Sequence, residues 1–145
     1  VKEKVEAFGC AVAQQVLVPD SAEEIAQAVQ SLLAEGCQLI LTTGGMSVDP
    51  DDVTPAGIRL AGARIVSYGA PVLPGSVFLM AYLGAVPVLG LPGCVMYNST
   101  TIFDLVLPLV LAGREVTRER IARWGVGGLC LNCEICRFPD CSFGA

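Results

Sequence analysis

No charged side chain occurs from residue 65 to residue 103, and this apolar stretch constrains the fold more than any other feature. A helix that spans a membrane needs about 20 apolar residues without repeated breaks. Proline and glycine instead cut the stretch into short pieces, at Pro71, Pro74, Gly75, Gly84, Pro87, Gly90, Pro92 and Gly93. Short apolar runs bounded in this way are typical of buried strands, so we predict a sheet and no membrane span.

Strand patterns alternate with helical patterns along the chain, which predicts an α/β fold of three layers (α/β/α) with a mostly parallel sheet. Asp20 is the expected N-cap of the second helix, and Asp52 or Thr54 that of the third. The predicted helices cover residues 1–8, 20–35, 54–60 and 98–111. The predicted strands cover residues 10–18, 37–41, 64–68, 77–82 and 86–91, and the last two form a hairpin.

The chain of 145 residues is long enough for one hydrophobic core. We predict an α/β domain over residues 1–124, followed over residues 125–145 by a glycine-rich linker and a tail with four cysteines. The mixed-charge start has no signal-peptide pattern and does not begin with Met, so we expect a cytoplasmic protein whose chain begins inside a longer one.

Charge and histidine content exclude several function classes. The net charge is −5 and no stripe of Lys or Arg occurs, which argues against a nucleic-acid partner. The chain has no histidine, which removes Ser-His-Asp and Cys-His catalysis and every histidine-containing metal site. Acid–base chemistry must therefore come from other side chains or from the ligand itself.

The first glycine loop is Thr42-Thr43-Gly44-Gly45-Met46-Ser47, which follows a predicted buried strand. Open α/β sheets bind ligands at such strand ends. Paired glycines let backbone N–H groups approach an anion, and the Thr and Ser hydroxyls add donors. No Lys follows the glycines, which argues against a Walker-type triphosphatase. The alternative is a tight turn without a ligand.

An acidic segment follows this loop, with Asp49, Asp51 and Asp52 close together. Carboxylates beside an anion-binding loop need a cation between them, and hard oxygen ligands with a phosphate are a common arrangement around Mg²⁺. We therefore predict Asp49 and Asp52 as magnesium ligands. The alternative is a solvated turn in which one residue caps the next helix.

The second glycine loop is Gly90-Leu91-Pro92-Gly93-Cys94, which also follows a strand and precedes a helix. Two strand-end loops of this kind can face each other across one crevice. Cys94 lies near the predicted helix start, where a thiolate is favoured, and the alternative for Cys94 is simple packing.

The two loops and the segment Asp51-Asp52-Val53-Thr54-Pro55 together resemble the molybdopterin-binding domain of molybdenum-cofactor biosynthesis, over residues 10–113. That family includes molybdopterin adenylyltransferases, molybdopterin molybdotransferases and gephyrin. The resemblance implies that both loops hold the pterin and its phosphate, from Thr42 to Ser47 and from Leu91 to Cys94. It implies that Asp52 is catalytic, with Asp51 or Asp49 as helper for Mg²⁺. It further implies ATP as a substrate, a dimer or trimer, and a molybdoenzyme as client.

Three departures from the family pattern bear on catalysis. Cys94-Val95 stands where the family has Asn-Pro, and Ser76 stands where one branch has a basic residue. The family's first strand would lie before Val1. These departures favour a non-catalytic cofactor carrier or sensor as one alternative. Another is a nucleotide hydrolase like the competence-damage-inducible proteins, which share a similar Gly-Gly and Asp-Asp-Val-Thr pattern.

The tail contains Cys130, Cys133, Cys136 and Cys141 within twelve residues, in the spacing C-x2-C-x2-C-x4-C. Four thiols this close can wrap one centre, either Zn²⁺ or an iron–sulfur cluster such as [4Fe-4S]. Disulfides are the alternative, and they are uncommon in cytosolic proteins. We predict a metal or cluster site in this tail.

Overall fold

The computed structural model describes residues 1–47, 49 and 51–145. The helices are α1 (Lys2–Ala7), α2 (Ala22–Ala34), α3 (Thr54–Leu60), α4 (Ile102–Leu111) and α5 (Arg118–Arg123), with a 3-10 helix at Gly93–Met96. The strands are β1 (Ile40–Thr43), β2 (Arg64–Tyr68), β3 (Leu79–Leu83) and β4 (Val86–Leu91).

The strands form one sheet in the order β1-β4-β3-β2. β1 pairs with β4 in parallel, and β3 pairs antiparallel with both β4 and β2. Three strands therefore run in one direction and only β3 is reversed, so the sheet is mixed and has a single parallel pair. The predicted α/β class is confirmed. Because of these directions, the carboxyl ends of β1, β4 and β2 meet at one edge of the sheet.

Helices cover both faces of the sheet, as the three-layer prediction requires. Successive strand residues point to opposite faces, so Leu79 packs towards α2 and α3 while Met80 packs towards α4. Phe103 of α4 and Ile58 of α3 are both fully buried. Burying side chains of this size contributes about 1.5–3 kcal/mol each relative to leaving them in water.

The strand predicted at residues 10–18 is wrong, because this segment has no regular secondary structure. It is exposed to solvent, and Leu17 is 91% exposed. A strand must pair its backbone groups with a neighbouring strand, and in the described part of the chain this segment has no such neighbour. Local sequence preference alone therefore does not produce a strand here.

Helix starts also differ from the prediction. Ser21 rather than Asp20 caps α2, since its hydroxyl accepts a hydrogen bond from Glu24 N at 3.4 Å. Thr101 caps α4 in a capping box with Asp104, three residues after the predicted start. The cap of α3 is Val53, which offers no side-chain acceptor. Neither Asp52 nor Thr54 caps that helix.

The cysteine tail is docked against the α/β domain. Leu73 pairs with Leu129 in an isolated bridge. Phe143 is only 5% exposed and lies in the core beside α4. Gly144 N donates to Gly127 O at 2.9 Å, which closes the segment between them into a loop. The boundary between residues 124 and 125 stays a prediction.

Among the residues that the structure describes, no helix has the length and the apolar character needed to cross a bilayer.

Candidate functional site

The two glycine loops lie side by side at the carboxyl edge of the sheet. Thr43, at the end of β1, is in register with Leu91, at the end of β4. The loops that follow these strands therefore leave the sheet at the same level. Met46 of the first loop is buried against Gly90, where an added Cβ would lie 2.8 Å from Met46 Cε. The glycine at position 90 lets the two loops pack directly together.

Backbone geometry explains the glycines of the first loop. Gly44 and Gly45 have φ angles of 87° and 57°, a region that side chains disfavour. Thr54 Oγ1 donates to Gly44 O at 3.0 Å. A Cβ at position 45 would lie 2.5 Å from Thr54 Oγ1. Thr54 thus supports the loop by contacting both glycines. The sequence predicted Thr54 only as a possible helix cap.

The hydroxyl groups of the first loop have different surroundings. Thr42 Oγ1 donates to Leu89 O at 3.4 Å, so it links β1 to β4. Thr43 and Ser47 are exposed at the edge of the sheet. Of the predicted ligand hydroxyls, these two are the ones that solvent reaches directly, and Thr42 supports the loop instead.

Ser47 is the centre of the hydrogen bonds in the acidic segment. Its N–H and Oγ both donate to Asp52 Oδ2, at 2.5 and 2.6 Å. Asp49 N donates to Ser47 Oγ at 3.1 Å, and Asp51 N donates to Asp49 Oδ1 at 3.0 Å. Asp52 therefore holds the first loop by its carboxylate, which explains why it does not cap α3. The side chain of Asp51 is exposed.

An open cavity of about 360 Å³ adjoins this segment and is lined by Ser47, Asp49, Tyr68, Gly69 and Val77. A volume of this order suits a small organic ligand. Sequence reasoning missed the last three residues. They lie at the end of β2 and before β3, and only the sheet order brings them to the same edge as the first loop.

The second loop presents mainly backbone to this edge. Leu91 is fully buried, Pro92 is buried and Gly93 is exposed. Burial raises the pKa of the half-buried Cys94 thiol above its ordinary value, an effect that a backbone hydrogen bond only partly offsets. Burial therefore disfavours the Cys94 thiolate considered from the sequence.

The predicted metal sites are not preformed. Within residues 1–47, 49 and 51–145, no three His, Cys, Asp or Glu side chains are grouped so that they could hold a metal ion. The three aspartates of the acidic segment and the four cysteines of the tail lie within these residues. In the tail, Cys136 Sγ lies 3.1 Å from Thr100 Oγ1, beside the start of α4.

Cys136 is expected to be the more readily alkylated of the two cysteines with perturbed pKa. Hydrogen bonds from Thr100, Phe138 N and Ser99 lower the pKa of this exposed thiol, whereas burial raises that of Cys94. More Cys136 is therefore thiolate, the reactive form, at neutral pH. In the metal-free protein, peptide mass spectrometry should find iodoacetamide on Cys136 first. Thr100→Val should slow that labelling, and faster labelling of Cys94 would contradict the assignment.

Comparison with known proteins agrees with this geometry. Residues 1–112 match the protein family described as "Probable molybdopterin binding domain". This chain belongs to that family. The resemblance drawn from the three sequence motifs is thereby confirmed, and the chain is a molybdopterin-binding domain of molybdenum-cofactor biosynthesis.

Two relatives are named molybdopterin molybdenumtransferase. The domain is 30% identical over 121 residues to that of Synechococcus elongatus, covering 81% of this chain and 30% of the relative. It is 30% identical over 110 residues to that of Haemophilus influenzae, covering 76% of this chain and 27% of the relative. The domain thus spans less than a third of the length of these transferases.

Two solved structures share the fold. The molybdopterin biosynthesis enzyme MoaB of Thermus thermophilus is similar with a TM-score of 0.50 and 25% identity, covering 69% of this chain and 70% of that one. CinA of Thermoplasma acidophilum, a protein described as of unknown function, has a TM-score of 0.56 and 17% identity, covering 78% and 84%. The second likeness shows the fold alone.

Proposed function

We propose that this molybdopterin-binding domain holds the pterin and its phosphate in the crevice between the two glycine loops, as part of a molybdate-insertion enzyme. The observation that carries the proposal is the side-by-side placement of these loops at the carboxyl edge, next to the 360 Å³ cavity. In this arrangement Gly44 and Gly45 offer backbone N–H groups to the phosphate. Thr43 and Ser47 add hydroxyl donors.

The acidic segment is the proposed catalytic part of the site. Asp52, with Asp51 or Asp49 as helper, lies beside the loop that would hold the phosphate. Carboxylate oxygens are the donors that Mg²⁺ prefers, but these side chains are not gathered as a ligand set. We therefore propose Mg²⁺ only as a companion of the bound phosphate. The chain's own contribution is to orient the phosphate and to keep Asp52 next to it.

Molybdate insertion is favoured over adenylyl transfer by the names of the two relatives, both molybdenumtransferases. Because the domain spans less than a third of each, the full reaction is a proposal for the whole protein. Adenylyl transfer from ATP, and a non-catalytic carrier or sensor, are the competing functions. The likeness to CinA shows the fold alone. A nucleotide hydrolase is a third competing function, and it would hydrolyse nucleotides without binding the pterin.

The experiment that separates these functions uses purified protein with molybdopterin, Mg²⁺ and either molybdate or ATP. Pterin fluorescence reports binding, and mass spectrometry reports the product. Molybdenum incorporation supports insertion, and AMP transfer supports the adenylyl function. Binding with neither product supports the carrier, and absence of pterin binding overturns the whole proposal.

The tail is proposed to bind one Zn²⁺ or one iron–sulfur cluster through its four cysteines. Thiolates are the donors that both centres use, although the four side chains are not gathered in this structure. The loop is closed at its base by Gly127 and Gly144, which confines the thiols to one short segment. Anaerobic purification and metal analysis should find zinc or iron, and Cys133→Ser should reduce it. A metal-free wild-type protein would contradict the proposal.

We further propose a cytoplasmic dimer or trimer that delivers its cofactor to a molybdoenzyme. Exposed apolar side chains support an assembly, since Val126 is 80% exposed and Ile135 is 77% exposed. Large contiguous apolar patches on a surface often mark interaction sites. Light scattering of the purified protein tests this, and a monomer at all concentrations would contradict it.

A further inference from the structure

Tyr68 connects the two opposite edges of the sheet. β1 and β2 are the outer strands in the order β1-β4-β3-β2. Nevertheless, the Tyr68 hydroxyl at the end of β2 donates to Ser47 O, beyond the end of β1, at 3.3 Å. The chain after β1 must therefore cross the carboxyl end of β4 and the amino end of β3 to make this contact. Tyr68 contacts this chain segment at the opposite outer strand, β2.

This contact continues into the acidic segment. Ser47 accepts from Tyr68 at its carbonyl, and it donates through N–H and Oγ to Asp52 Oδ2 at 2.5 and 2.6 Å. Tyr68, Ser47 and Asp52 thus form one chain of hydrogen bonds along the cavity. The Asp52 carboxylate is thus linked to Tyr68 through Ser47.

The ring of Tyr68 also forms a wall of the cavity. The residue is 49% exposed, and it lines the cavity together with Gly69 and Val77. A half-exposed aromatic side chain beside glycine and valine can pack against a flat heterocycle.

We propose that Tyr68 is a positioning residue: its hydroxyl holds Ser47, and through it Asp52, across the cavity, and its ring contacts the planar part of the ligand. This inference rests on the proposed function and extends it, because it names the residue that sets the shape of the site. The hydroxyl latches the segment and the ring contacts the ligand. The two parts of the role are separable by substitution.

The test compares Tyr68→Phe, which removes only the hydroxyl, with Tyr68→Leu, which also removes the ring. Tyr97→Phe is the matched control, since Tyr97 is 86% exposed and outside the cavity lining. Hydrogen exchange of the backbone amides of Ser47 and Asp52 is measured in the ligand-free protein. Losing one neutral hydrogen bond should speed this exchange by about two- to tenfold in Tyr68→Phe. The control should exchange like the wild type.

Molybdopterin affinity is then measured for the same variants. Tyr68→Phe should bind about two- to tenfold more weakly than the wild type, and Tyr68→Leu should bind more weakly still. Unchanged exchange in Tyr68→Phe overturns the latch, and equal affinity of the Phe and Leu variants overturns the ring contact. If the wild type binds no molybdopterin, the proposed function and the ring contact fail, and exchange in the free protein still decides the latch.

Discussion

An Asp52→Ala variant is expected to lose molybdate insertion by a factor on the order of 100, because misplacing a reacting group by about 1 Å costs that much. Asp52 Oδ2 accepts both the N–H and the hydroxyl of Ser47, at 2.5 and 2.6 Å. Removing the carboxylate leaves both donors without their acceptor and frees the loop that is proposed to hold the phosphate. The measurement is molybdenum incorporation into bound molybdopterin, with the affinity determined in parallel. We expect the affinity to fall about tenfold.

Asp20→Ala is the matched acidic control for this prediction. Asp20 is exposed and lies outside the lining of the cavity, and Ser21 rather than Asp20 caps α2. The control should therefore insert molybdate at the wild-type rate. Asp52→Asn keeps one acceptor oxygen and should fall between the wild type and Asp52→Ala. Wild-type insertion by Asp52→Ala would refute the proposed role of Asp52 in catalysis.

Gly45→Ala is expected to destabilise the domain by about 2–5 kcal/mol. A side chain at a left-handed φ costs roughly 1–2 kcal/mol, and forcing extra atoms into packed structure costs about 1–3 kcal/mol. Both apply here, because φ is 57° and the new Cβ would lie 2.5 Å from Thr54 Oγ1. Urea denaturation measures the loss in the free energy of unfolding. Molybdopterin affinity should fall as well, because the loop cannot keep its shape.

Gly44→Ala separates the two causes. Gly44 has a φ of 87°, and within the described part of the chain no atom lies within 4 Å of a Cβ placed there. This variant should therefore lose only the roughly 1–2 kcal/mol of backbone strain. Gly45→Ala combined with Thr54→Ala should recover part of the loss by removing the hydroxyl. Equal destabilisation by Gly44→Ala and Gly45→Ala would show that Thr54 does not brace the loop.

The sequence predicted elements well where local pattern and tertiary structure agree. Strand β2, Arg64–Tyr68, is observed at its predicted bounds, since a short β-branched run lies between two glycines. Residues 10–18 have a comparable local pattern and form no strand, because pairing depends on a neighbour rather than on the run itself. The predicted hairpin already implied that β3 runs antiparallel to β4. The order of the strands in the sheet could not be predicted from the sequence.

The site was predicted in part for the same reason. Both glycine loops follow strand ends, which a sequence pattern can locate. Tyr68 carries no motif, and its place opposite Ser47 depends on β2 being the far strand of the sheet. Asp52 and Thr54 looked like helix caps, but contacts with Ser47 and Gly44 use these side chains instead. Tertiary contacts, which the local sequence does not show, therefore determine the roles of Asp52, Thr54 and Tyr68.

The most direct test of the central claim is a titration of the purified protein with molybdopterin, followed by pterin fluorescence or calorimetry. A crevice built from both glycine loops should give one saturable site with a Kd of about 1 μM or tighter, which corresponds to roughly −8 kcal/mol. Gly45→Ala should weaken that site while the fold persists. Absence of saturable binding by the folded wild-type protein up to about 1 mM molybdopterin would contradict the account.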